Sequence, residues 1–378
     1  MIILTGVSAI LQFVSHKNKP VFNKQILLFW CLYLGAVVGV LNSTNLEIAY
    51  FDLEKKLPWL SLPLIFFIGN KITKEEFLFI LKGFLICLCC LNAYALTTPE
   101  SFINQLTMTW HTWNESLPIN RIYLGMYNVF GLVIAAYFFN FSSRVIEKII
   151  YATIFFLLVV SLVNTFAKTA MVAFIAISLL ELSYVLYKKG KSWFYAGAGS
   201  LVVITIFAFI VITPLQEVTK KILSKETFAF SNNPLLFESI NFRYVHWSSS
   251  WSALKQDNNW ITGVGTGDSQ KLLDEFYALK LNDHERNYLI LGYNSHNQYF
   301  TTWLNFGLVF LLLLVYQFFC SIQSYYKKGL RIGVYFILII MFSCITESMF
   351  ERQQGIVFYT FFSLLFFSRL DHKRVAVD

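Results

Sequence analysis

Four ionisable residues stand at or beside the ends of apolar segments, Arg121, Lys168, His296 and Glu347, and a fifth, Arg243, lies in the long connection between two of them. An ionisable group at such an end is costly and is by default a functional hypothesis. Arginine grips phosphate oxygens with a planar fork and lysine with a point charge. A leaving diphosphate gains charge in the transition state, so cations held in advance lower the barrier. A neutral imidazole near a helix start can accept a proton from an attacking hydroxyl. The set therefore suits displacement of a diphosphate. His296 serves as base, Glu347 orients it or the cations, and Arg121, Lys168 and Arg243 hold the leaving group.

The stretch Tyr293-Asn294-Ser295-His296-Asn297-Gln298 is a polar loop end that runs into an apolar segment. Ser295 with Gln298 three residues on reads as a capping box, which predicts a helix beginning at His296. Gly307, eleven residues later, then shares a face with His296, where a glycine lets another element come close. Gly263-Val264-Gly265-Thr266-Gly267 has no strand before it and no following acid, so it reads as a tight turn rather than a dinucleotide loop.

The elements that must position these residues are membrane helices. The chain of 378 residues is 56% hydrophobic and 14% charged, against about 25% charged in soluble domains, and its mean hydropathy is +0.57. The expected fold is all-α, a polytopic transmembrane bundle. Eleven apolar segments are read: 2–14, 25–41, 57–70, 77–97, 122–140, 149–165, 168–187, 193–213, 297–322, 332–349 and 355–369. Every second connection is basic, which places those loops in the cytoplasm and loops 42–56, 98–121, 164–168, 214–296 and 350–354 outside. The chain then divides into membrane helices over 1–213, a large periplasmic loop over 214–296, and membrane helices with a short cytoplasmic tail over 297–378. Within the loop, 215–228, 242–255 and 268–280 carry helical apolar periodicity, the last with Asp268 as its N-cap, and predict a helical cap on the outer face.

The spacing His296-Asn297, nine residues, Gly307 resembles the signature of the O-antigen ligase and polymerase family of bacterial membrane glycosyltransferases, with Phe310 where that pattern has a small residue. Arg121 in Asn120-Arg121-Ile122-Tyr123-Leu124-Gly125, Lys168 in Phe166-Ala167-Lys168-Thr169-Ala170, Arg243 ahead of Trp247 and the Gly263–Gly267 run, and Glu347-Ser348 before Gln353-Gln354-Gly355 resemble further family runs. The match departs at Lys168, where relatives tend to have arginine, and at Leu124, one residue early. The resemblance implies an undecaprenyl-diphosphate-linked glycan as donor and lipid A-core as acceptor. It also implies an active site on the periplasmic face of the inner membrane, and Asn297, Gly307, Gly263 and Gly265 as supporting residues. A second glycan as acceptor would make the chain a polymerase. About twelve spans with both ends inside are implied, so a further first span is expected upstream of the eleven.

Bland readings stand beside these. Arg121 and Lys168 also read as interfacial anchors, Arg243 as a solvated helix residue, and Glu347 as a partner of Arg352. His111, His246 and His284 read as surface residues. The six cysteines lie in apolar runs without a partner cluster, so packing is expected, with no metal and no cofactor. The partners expected are the lipid-linked donor, the acceptor and membrane lipids, and no nucleic acid. A lipid or solute transporter is the rival class. It calls for ionisable groups at mid-membrane and paired repeats, and polar Asn128 within the fifth segment is the main feature in its favour.

Overall fold

A computed structural model describes residues 22–69, 72–97, 119–165, 167–190, 234–280 and 292–368. These residues are helical, without strand. The helices are α1 (Lys24–Leu41), α2 (Leu46–Lys55), α3 (Pro58–Ile68), α4 (Lys74–Thr97), α5 (Arg121–Phe141), α6 (Val145–Thr165), α7 (Lys168–Lys189), α8 (Pro234–Lys255), α9 (Asn259–Thr262), α10 (Ser269–Lys280), α11 (Gln298–Phe306), α12 (Leu308–Lys327), α13 (Arg331–Thr346) and α14 (Gln353–Ser368). Segments 2–14 and 193–213, helix 215–228, His111 and His284 lie outside the described residues.

Among the described residues, α1, α4, α5, α6, α7 and α12 are long and apolar enough to cross a membrane; α13 and α14 are shorter apolar helices. The bundle is built around α5, 67% of whose apolar window is buried, against 17% for α6 and α7. The outer pair turns Ile146, Ile149, Phe156, Val172 and Ile175 outward, as lipid-facing helices do. Phenylalanine fills the centre. Phe130 of α5 meets Phe336 of α13 at 4.9 Å and Phe362 of α14 at 4.9 Å, ring centroid to centroid. Asn128, polar and fully buried, exchanges amide hydrogen bonds of 2.7 and 3.1 Å with Asn92 of α4. Its amide is spent on joining two helices, the usual use of a polar residue between spans.

A second, smaller apolar cluster joins Ala253 and Leu254 of α8, Leu273 and Tyr277 of α10, and Leu304 of α11. The helices of 234–280 thus rest on α11 through their own core.

Several sequence expectations need correction. The connection 42–56 is not a plain loop: Asn45 caps Ile48 N–H and starts α2. The segment 57–70 yields only the 11-residue α3 with Pro63 inside it, roughly 16 Å long, about half of a ~30 Å hydrocarbon core. Asp268 does not spend its carboxylate on its own helix. It accepts from Thr44 N–H (2.6 Å), Thr44 O–H (2.7 Å) and Asn45 N–H (3.2 Å), tying α10 to the end of α1. The helix of 242–255 begins earlier, at Pro234.

The segment 297–322 is two helices, not one. Gly307, at φ +86°, breaks it, so His296 and Gly307 do not share a helix face. The break exists to admit the glycine run. A Cβ on Gly307 would lie 2.3 Å from Ile261 O, and one on Gly263 would lie 2.7 Å from both Gly307 N and Leu304 O. Val264 N–H donates to Leu304 O at 2.7 Å, which closes the junction. Gly263 (φ +73°) and Gly265 (φ +87°) also need the left-handed region that glycine enters without strain. Gly265 packs on Ser43 and Asn42 at the end of α1. Phe310, the large residue in place of a small one, is received by Gly35 of α1, where a Cβ would meet its ring at 2.4 Å.

Candidate active site

The site is built on two short turns lying side by side, 293–297 before α11 and 347–352 between α13 and α14, the second holding a single 3-10 turn over Met349–Glu351. The expected capping box does not form. The N-cap of α11 is Asn297, whose side chain accepts from Tyr299 and Phe300 N–H. His296 stands outside the helix at φ +44°, a conformation uncommon for a non-glycine residue. It is held there by Asn294, whose side-chain oxygen accepts from His296 N–H at 3.0 Å. Ser295 instead donates to Asn297 O and shares a 2.6 Å contact with the Thr301 hydroxyl. Gln298 accepts from Phe350 N–H at 2.6 Å, and Asn297 donates to Ile345 O at 2.9 Å. The last two bonds tie the start of α11 to the 347–352 turn and to the end of α13, and so fix the spacing of the two turns.

That spacing brings His296 Nδ1 to 3.2 Å from Glu347 Oε2, with side chains 24% and 11% exposed. A carboxylate accepts only, so Nδ1 carries the proton and Nε2 is the free lone pair of the neutral ring. Glu347 is extended at the end of α13 and residues 347–352 are not an α-helix, so pairing with Arg352 across a helix turn is not what the carboxylate does.

The cations reach the same place from other helices. Arg121 is the first residue of α5 and Lys168 the first of α7. Gly125, one turn after Arg121, lets α7 come close: a Cβ there would meet Ala167 at 2.6 Å and Ala170 at 3.1 Å. The Thr169 hydroxyl bonds that of Thr346 and ties the start of α7 to the end of α13. Lys168 feels the charges of Arg243 and Arg121, and Arg243 that of Glu347. Burial draws the Arg243 guanidinium pKa down and Glu347 opposes it. The amino-terminal ends of α5, α7 and α11 add partial positive charge. Among the described residues no three His, Cys, Asp or Glu side chains gather to share a metal ion.

Two features escaped the sequence reading. His246 is not a surface residue: it is 3% exposed, and its ring stacks on His296 at 5.0 Å and 21°. A signal existed, since His246 is three residues after Arg243 and so on the same helix face. The second is Lys56, fully buried, with Asp52 at 2.6 Å and Glu351 at 3.4 Å. The spacing of Asp52 and Lys56 was legible, but their stretch was read as a connection.

Residues 153–315 match the family model described as O-Antigen ligase. The matched stretch contains Lys168, Arg243, His296 and Gly307, and leaves out Arg121 and Glu347. No curated protein matches the chain.

Proposed function

We propose that this multi-pass membrane protein, whose residues 153–315 match the O-antigen ligase family model, transfers a glycan from an undecaprenyl-diphosphate carrier to a hydroxyl of lipid A-core, on the periplasmic face of the inner membrane. His296 Nε2 takes the proton of the acceptor hydroxyl as its oxygen attacks the anomeric carbon. The bond from that carbon to the diphosphate oxygen breaks, with inversion. Arg121, Lys168 and Arg243 take up the charge that builds on the diphosphate, and Glu347 stabilises the imidazolium that forms. No metal is required in this scheme, because the cations carry the leaving charge.

The observation that carries the reading is the 3.2 Å contact of His296 with Glu347 within electrostatic reach of Arg243. Asn128 no longer favours a transporter, because its amide is committed to Asn92. The test uses the full chain in lipid vesicles with an undecaprenyl-diphosphate glycan and lipid A-core. The wild type should attach glycan to the core, and His296→Ala, present in the vesicles at the same level, should not. Full transfer by His296→Ala would remove the base. Lengthening of carrier-linked glycan with no transfer to the core would identify a polymerase instead.

A further inference from the structure

The His296 ring has two jobs in that scheme that depend on its plane. Nδ1 must stay on Glu347 while Nε2 meets the acceptor. A residue at φ +44° in a turn does not hold its ring by backbone alone. Glu347 fixes one point on the ring edge, and rotation about that point remains open.

The face is covered from another element. His246 of α8 stacks on it at 5.0 Å and 21°, near parallel, while Tyr293 leans on it at 5.5 Å and 37°. His246 is itself backed by Tyr277 of α10 at 5.1 Å. Tyr277 donates to Asn294 O at 3.4 Å, in the turn that carries His296. The small core of α8, α10 and α11 holds the whole stack.

We propose that His246 is a positioning residue for His296, its flat ring fixing the plane of the base and giving the imidazolium formed during transfer a π-face to rest on. This rests on the reading of His296 as the base. A second histidine so near could compete for the same proton, but its surroundings prevent this. Burial first, then the charges of His296 and Arg243, holds the His246 imidazole down to about 3. Among the described residues, the charged and titratable groups facing the pair include Arg243 on α8, Tyr277 on α10, Tyr293 beside His296, and Glu347 beyond it. At neutral pH His246 is thus an uncharged aromatic plate, and a benzene ring should replace it.

The test compares His246→Phe, His246→Gln and His246→Ala with wild type and His296→Ala in the vesicle assay, over a range of pH. His246→Phe should keep kcat within about threefold. Its acid limb should move up by roughly half a pH unit, since a benzene face stabilises imidazolium better than a neutral imidazole. His246→Gln, which fills the space without a ring, and His246→Ala should lose about ten- to a hundredfold in kcat with little change in KM. If His246→Phe is as inactive as His296→Ala, His246 handles protons itself and the positioning role is overturned. Wild-type kcat and an unmoved acid limb in His246→Gln overturn it as well. The reading of His296 fails separately, through an active His296→Ala. The His296 titration, followed by NMR of labelled histidine, tests the stacking without reference to transfer: an unchanged midpoint in His246→Phe overturns it.

Discussion

Two charge clusters lie at the same end of this bundle, and they are built on opposite principles. Lys56, Asp52 and Glu351 are closed: side-chain exposures are 0%, 6% and 17%, and the ammonium touches both carboxylates. Burial and Asp52 push the Glu351 carboxyl up, while Asp52 and Glu351 raise Lys56 against the opposing effect of burial. The charges answer one another inside the protein. The cluster of Arg121, Lys168, Arg243, His296 and Glu347 is open. Among these five residues the cations outnumber the one carboxylate, and Lys168 is exposed. An excess of positive charge gathered at one place attracts anions. The closed cluster secures the 347–352 turn, and the open one uses the side chain that this turn presents.

The sharpest way to break the comparison is to remove the proposed base. His296→Ala should lower transfer by roughly a thousandfold, the range of general-base catalysis, with unfolding in detergent unchanged. Lys56→Met should do the reverse. Leaving two buried carboxylates without their cation costs about 3–5 kcal/mol, read as a lower unfolding temperature. The triple change Asp52→Asn, Lys56→Met and Glu351→Gln should recover most of that loss. A Lys56→Met variant as stable as wild type would end the distinction. Gly307→Ala should cost about 2–3 kcal/mol through its positive φ, increased by the close approach of Ile261 O, and should loosen the 234–280 helices first in hydrogen exchange.

The smallest effect concerns pH. His246 is held at about 3, below an unfolded value near 6.5, so between these limits the unfolded chain binds the extra proton. Stability therefore falls as pH drops through 6.5. Between pH 7.5 and 5.5 the loss from this group should be about 1.4 kcal/mol, and His246→Phe should remove it.

The sequence was most legible where a residue type is expensive. Arg121, Lys168, Arg243, His296 and Glu347 stand out because lipid and interface tolerate few charges. It was less legible where geometry turns on one backbone angle. Ser295 and Gln298 satisfy a capping pattern on paper, yet Asn297 takes the cap and Gln298 turns to Phe350 N–H. The break at Gly307 is invisible to periodicity because apolar residues continue on both sides. His246 looked like a loop histidine because nothing local tells that Tyr277, 31 positions on, will close over it.

By itself, the sequence determined an all-helical membrane chain and the inventory of cations, imidazole and carboxylate that its chemistry can draw on, since both follow from hydropathy and from the cost of charge in lipid. Only the tertiary structure decided which of those groups meet. Contact between His296 and Glu347, the stacking of His246, and the neutralisation of Lys56 join residues 51, 50 and 295 positions apart. Such pairings are set by how helices pack and where glycine lets them touch, which no local pattern encodes.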